Sequence, residues 1–426
     1  MQPPSESYVE AQMAITRRLK NIHAHLFLWG IVVLSLTAGT VVSEAATYYV
    51  APSGSDTGTG TLAQPFRSIS KGLSVMAGGD TLYIRGGTYN EKINSNSQTI
   101  PVGTSWGDAP IISGYPGETV VLAVGGTSEL INLPHAYIQY VSFENLVLDG
   151  LTTTDNVISV GSSGAHHIRF KNCEVKNAGH IGVFFHGSFN IFTGGHVHHV
   201  GNVTAFPRPT NRHYGFYVEG SDNLIENTNI HHTNDYGIHN YSGYTSASRN
   251  TYRNLTLHET SLLYDSGAAI IASRSDSVLA YNNILYSNTG HGILAGAQAT
   301  NTRIYNNSIY GGAQTGVYVE PGATSTDVRN NIAYGNATTQ VLGLGVGTVM
   351  ANNLTTNPRF VNPTTFDFNI QSGSPAIDAG VTLSAVQVDF KSTPRPQGGA
   401  YDIGAYETGG STDTTPPSPP KNVALQ

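Results

Sequence analysis

Between residues 130 and 355 the chain alternates short runs, apolar at every second position, with turns rich in Asn and Gly. Asn followed three positions later by an aliphatic residue recurs as Asn145–Leu148, Asn172–Val175, Asn227–Ile230 and Asn254–Leu257. It continues as Asn282–Leu285, Asn306–Ile309 and Asn330–Ala333, with Gly194 holding one equivalent slot and Asn352 a weaker copy. Ten residues after most of these anchors a Gly opens a second alternating run, as at Gly182, Gly237, Gly292 and Gly316. Gly215 fits the same slot after a long insertion. Runs of period two predict strands, and a repeat of short strands and turns at this spacing predicts a solenoid. Ankyrin and tetratricopeptide repeats require ten-residue amphipathic helices, and leucine-rich repeats a Leu ladder; neither pattern occurs here. The expected fold is therefore an all-β parallel β-helix of about ten coils. An Asn at the same bend of every coil would pass amide hydrogen bonds along the stack.

Two further positions refine this picture. Phe66, Ile69 and Leu73, with Met76, predict one short helix that plugs the N-terminal end of the core. Four residues after the anchors stand Asp149, Lys176, His198, His231, His258, Tyr286, Tyr310 and Tyr334, which predicts one outward row stacked coil on coil. Eleven of the sixteen histidines fall between His166 and His239. That row makes His198, His231 and His258 surface stacking residues rather than metal ligands, and His199 and His232 share the reading.

Composition agrees. Charged residues are 12% of the chain and Gly is 48 of 426, which disfavours helical bundles and suits a turn-rich repeat. A net charge of −7 without a basic stripe argues against nucleic acid. The single cysteine, Cys173, lies in a strand-like segment and is expected to be a buried structural thiol. Arg17, Arg18 and Lys20 precede an apolar run from Leu26 to Val42, and Ser43-Glu44-Ala45 offers a cleavage-like end. Residues 1–45 are read as an export signal, from Met1 or Met13, with an uncleaved anchor as the alternative. The mature chain is expected outside the cell or at its surface, as a monomer with no membrane-spanning segment. Residues 46–408 form the β-helix domain and 409–426 a Pro/Ser/Thr-rich linker tail.

The segments Tyr48–Asp56, Gln64–Ile69 and Gly79–Tyr89 resemble the opening of secreted right-handed parallel β-helix, or pectate-lyase-like, proteins. Ser374–Gly380 with Asp402–Glu407 resembles their closing segment. The resemblance covers roughly residues 47–407 and implies a right-handed helix. It implies architecture more than activity, because this superfamily holds lyases, epimerases, hydrolases and non-catalytic surface proteins. Tyr236–Tyr241 is faintly similar to the Tyr-Gly-Ile-Asp-Pro-His-Asp stretch of mannuronan C5-epimerases, with His239, Asn240 and Tyr241 replacing Asp, Pro and His. Gly290-His-Gly292 is similar to the Gly-His-Gly of polygalacturonases, without their preceding paired aspartates; His291 reads as a turn residue. The Asp-rich calcium clusters of pectate lyases are not evident, so no cofactor is expected. Asp222, Asp235 and Asp265 leave calcium open.

Alternation along the Gly-led strands predicts outward pairs Phe184/His186, Tyr217/Glu219, His239/Tyr241, Ile270/Ala272, Leu294/Gly296 and Tyr318/Glu320. Titratable and aromatic groups thus concentrate between residues 182 and 241. Insertions converge on the same coils, and the longest carries Arg208, Arg212, His213 and Tyr214 onto the Tyr217 strand. Tyrosines suit sugar rings, and Arg suits a uronate carboxylate. The expected partner is an extracellular polysaccharide and the favoured activity a lyase on a uronate-containing polymer. Elimination needs a cation for the carboxylate (Arg208 or Arg212), a base for the C5 proton (His213 or His239) and an acid for the leaving oxygen (Tyr214, Tyr217 or Tyr241). Phe184, His186, Tyr217 and Glu219, with Arg208, would bind substrate. A non-catalytic carbohydrate-binding surface solenoid is the alternative, followed by a glycoside hydrolase or C5-epimerase.

Overall fold

A computed structural model describes residues 44–409 apart from 127, 208–212, 242, 244–246 and 265. The export segment and tail thus lie outside the described residues, save their edges at 44–45 and 409. Three parallel sheets run the length of the domain. Sheet 1 has twelve strands, from Thr47–Val50 to Val349–Ala351. Sheet 2 has ten, from Ile93–Asn94 to Val341–Gly343, and sheet 3 ten, from Gly87–Tyr89 to Ile332–Tyr334. The chain visits sheet 1, sheet 3 and sheet 2 in turn, so each circuit is one coil and ten circuits are complete. Repeated parallel crossovers of this kind take the right-handed sense.

The bend between sheets 1 and 3 explains the Asn anchors. Asn145, Asn172, Asn227, Asn254, Asn282, Asn306, Asn330 and Asn352 all have φ between 49° and 57°, and Gly194 has φ 70°. Among L-residues, Asn tolerates this left-handed region best after Gly. Amide links between anchors occur at Asn172–Asn145, Asn254–Asn227 and Asn330–Asn306, at 3.3–3.4 Å. The stronger chain belongs to the next residue in each late coil. Asn307 Oδ1 accepts from the backbone and side-chain nitrogens of Asn283 at 3.0 and 2.9 Å, and Asn307 Nδ2 donates to Asn331 Oδ1 at 2.9 Å. These amides are buried, so each satisfies polar backbone that water cannot reach.

The core is lined by stacked Val, Ile, Leu and Phe from all three sheets, and Cys173 is buried in it. Burial pushes its thiol up to about 12. At the N-terminal end helix α1, Ile69–Val75, buries Ile69 and Leu73. Ser68 Oγ caps it by accepting from Lys71 N at 3.1 Å. The helix is shorter than the sequence spacing implies. Phe66 lies before it, bridged to Val50.

The outward row of sheet 3 has the expected register, each of the eight residues from Asp149 to Tyr334 facing the next. Its second half is not surface. Residues 360–405 fold back along the side of the solenoid, where Phe360, Phe368, Ile370 and Ile403 pack with Tyr286, Tyr310 and Tyr334. Asn282, Asn306 and Asn330 donate to carbonyls of Val388, Asp402 and Val381 in the same segment. Among the described residues no helix is long and apolar enough to cross a membrane.

Candidate active site

Sheet 2 carries the site. Its outward positions on successive strands are Phe184, Tyr217, His239, Ile271, Leu294 and Tyr318. Two residues on, a second row runs through Glu219, Tyr241 and Ser273. Ile271 and Ser273 stand where the alternation predicted Ile270 and Ala272. The repeat slips by one because Ala269, not Ala268, is level with Gly237, whose added Cβ would sit 2.6 Å from Ala269 O. Gly215 has the same relation to Gly237 O, also at 2.6 Å. Both strands begin with a residue whose backbone touches the next coil, and a Tyr precedes each.

An open pocket of about 410 Å³ is lined by Tyr214, Tyr217, Tyr236, His239, Tyr241, Ile271 and Ser273. The His239 ring sits at its centre. Tyr217 stacks on it at 5.1 Å and 17°, while Tyr214 and Tyr236 approach at 4.7 Å and Tyr241 at 5.3 Å. Tyr264, from the insertion at 259–267, packs edge-on against Tyr236. Four predicted residues thus meet in one place, Tyr214, Tyr217, His239 and Tyr241.

Phe184, His186 and Glu219 flank the pocket on its N-terminal side. Phe184 stacks on His186 and contacts Tyr217 at 4.6 Å. His186 Nδ1 lies 3.0 Å from Glu219 Oε2. The Glu219 carboxylate lies near the Tyr217 phenol as well, so its charge acts on both neighbours. Burial, then the charge and hydrogen bond of Glu219, hold the Tyr217 phenol well above its ordinary pKa. A phenol so held stays protonated.

His213 does not reach the pocket. Its side chain is 0% exposed, with Nε2 3.0 Å from Phe206 O and Nδ1 3.9 Å from Asp235 Oδ2. The Asp235 carboxylate accepts from His213 N at 2.7 Å. This pair anchors the base of the long insertion, which removes His213 as a candidate base. Arg208 and Arg212 lie outside the described residues.

Sequence reasoning missed Tyr236, Ile271, Ser273 and Arg274. Tyr236 had a signal, since Tyr214-Gly215 and Tyr236-Gly237 repeat one motif on adjacent coils. Arg274 was hidden by the one-residue slip. Its Nη1 donates to Tyr241 OH at 3.0 Å, and its guanidinium lies 5.6 Å from the ring centroid.

No group of three or more His, Cys, Asp or Glu has metal-binding geometry among the described residues. Asp222 is paired with Arg249 at 2.7 Å, Asp235 is engaged below the insertion, and Asp265 lies outside the described residues. The described residues do not fit a calcium cluster. Asn240, within the epimerase-like stretch, points inward and accepts from Asn250 and Tyr252.

A family model described as "Pel9A-like, right handed beta helix region" matches residues 48–207, and one described as "Right handed beta helix region" matches 209–362. Pectate lyase PEL9 of Emericella nidulans is 40% identical over 79 residues, which is 18% of this chain and 18% of that protein. The match therefore spans less than a fifth of that relative's length. The crystal structure of pectate lyase Pel9A has a TM-score of 0.61 at 16% identity, covering 86% of this chain and 97% of that one. The complex of XylC with xylose gives 0.52 at 11% identity, over 85% and 99%. These two structural likenesses are of fold.

Proposed function

Because the chain belongs to the pectate-lyase-like superfamily of right-handed parallel β-helix proteins, we propose that it is a polysaccharide lyase. Its substrate is a uronate-containing polymer, met outside the cell or at its surface. The observation that carries this reading is His239 held in a tyrosine-walled pocket on the outward face of sheet 2. The relatives' printed activity agrees in kind.

In the proposed elimination His239 takes the C5 proton, the electron pair forms the C4–C5 double bond, and the C4–O4 bond breaks. Tyr217, kept protonated by burial and by Glu219, gives its proton to the leaving O4. Tyr214 and Tyr236 hold the imidazole in place and shield it from water.

Hydrolysis by a carboxyl pair is less well supported. In the outward rows of sheet 2 the next carboxylate after Glu219 is Glu320, four coils away. At about 4.8 Å per coil that is roughly 19 Å, and a hydrolytic pair needs ~5–9.5 Å.

Lyase action leaves an unsaturated sugar that absorbs in the ultraviolet. An absorbance assay over alginate, pectate and glycosaminoglycans is expected to show such a product with one of them. New reducing ends without it would overturn the lyase reading. Binding with no product at all would make the chain a non-catalytic carbohydrate-binding surface protein.

A further inference from the structure

We infer that Arg274 is the carboxylate-recognition residue of the sheet 2 pocket, so that the glycosyl unit seated beside Tyr241 and Ser273 is a hexuronate. This rests on the polysaccharide reading above and names the chemistry of one subsite.

The argument starts from what the other arginines do. Of the ten described, six are ion-paired with a carboxylate: Arg85, Arg169, Arg249, Arg253, Arg329 and Arg395. Arg274 has no such partner among the described residues, and it is the one beside the pocket. It directly follows Ser273, a lining residue, and has φ 45°. A non-glycine residue in that region costs energy unless its surroundings fix it.

What it touches is Tyr241. One guanidinium N–H donates to the phenol oxygen at 3.0 Å, which ties the cation to the pocket wall. A guanidinium has five N–H donors in a planar fork. Those left over find no acceptor among the described residues, and the fork matches a carboxylate through two parallel hydrogen bonds. Of the two carboxylates in the Tyr241 row, Glu219 is engaged by His186 at 3.0 Å and Glu320 accepts from Ala297 N at 2.7 Å, so neither is paired with Arg274. Arg274 is then the cation beside the pocket whose fork is open to an anionic group on the sugar.

Binding of polygalacturonate and alginate, each beside its carboxyl-reduced neutral counterpart, tests the inference by calorimetry. The wild-type chain is expected to prefer an acidic polymer over its reduced form by roughly ten- to a hundredfold, the share of one charge-assisted contact. Arg274→Gln is expected to bring that ratio to within about threefold, with affinity for the reduced polymer retained. Arg274→Lys should keep part of the preference, because charge survives without the fork. Retention of the full preference by Arg274→Gln overturns the inference, as does a wild-type chain that binds both forms equally. In those two outcomes polysaccharide binding itself stands. A wild-type chain that binds neither form overturns the functional reading together with the inference.

Discussion

Sheets 2 and 3 both carry His and Tyr at equivalent outward positions of consecutive coils, yet they make different objects. On sheet 3 His198, His231, His258 and Tyr286 stack at 4.7–4.9 Å with interplanar angles of 7–10°. Each ring face there is used by the neighbouring coil. On sheet 2 the rings around His239 meet at angles from 17° to 69° and leave an open pocket at their centre. Regular coils on sheet 3 put each ring directly above the last. On sheet 2 the Tyr-Gly motif repeated at 214–215 and 236–237 sets Tyr214 and Tyr236 against His239, and Tyr264 from the insertion at 259–267 packs edge-on against Tyr236. A strict repeat makes a column, and an interrupted one makes a site.

The largest expected effect breaks the comparison on its functional side. His239→Ala should lower the rate of ultraviolet product formation by about 10²–10⁴, the usual contribution of a positioned base. His231→Ala, in the column, should leave that rate within about twofold. Equal losses in both variants would mean that the two rows do not differ in function.

Next in size is the buried amide chain. Asn307→Ala leaves the groups that Asn307 satisfied, at Asn283, Ala280 and Asn331, short of a partner. Each such group costs roughly 1–3 kcal/mol, so urea unfolding should show a loss of that order or more with the fold retained. A loss below ~0.5 kcal/mol would make the chain of amides incidental.

The sequence made the column legible and the pocket only partly so, for a physical reason. The column depends on spacing alone: Asn at φ near 50° fixes each bend, and the residue four places on must face outward, which placed all eight members correctly. The pocket depends on where insertions end. His213 lies four residues before Tyr217, yet the insertion folds its ring under the coil beside Asp235. Ile271, Ser273 and Arg274 were missed because the coil at 268 carries Ala in the glycine slot, and counting from the wrong residue reverses every side chain in a strand. The covering of Tyr286, Tyr310 and Tyr334 by residues 360–405 is a contact distant in sequence that no local period encodes.

Acid should distinguish the column from the rest of the fold. Burial, followed by the charges of neighbouring histidines, lowers the pKa of His231 to about 2, and burial also lowers those of His196, His199 and His258. The groups facing them are His198, His232, Glu174, Lys176 and Glu259. In the unfolded chain these histidines titrate near 6.5, so below that pH the unfolded state binds more protons than the native one. Stability is then fully present above about pH 6.5 and falls as pH drops toward the native values. Urea midpoints measured from pH 7.5 to 4.5 should decline, more steeply than for a variant lacking His231. A flat profile would show that the column protonates without cost.

The smallest effect separates stacking from titration within the column. His231→Phe keeps a flat ring between His198 and His258, whose centroids lie 4.9 and 4.7 Å from it. It gives up the 2.7 Å contact between His231 Nδ1 and His232 Nδ1. At pH 7.5 the stack, about 0.5–1.5 kcal/mol per aromatic pair, is kept, and the loss is that of one neutral hydrogen bond, about 1 kcal/mol. The net change should therefore stay within ~1 kcal/mol. At pH 5 the Phe variant should equal or exceed the wild type, because it has no imidazole to protonate at the rung whose pKa burial lowers to about 2. His231→Ala, which loses the stack as well, should be less stable than the Phe variant at both pH values. If Ala and Phe behave alike, the parallel rings are a consequence of the coil spacing and contribute nothing of their own.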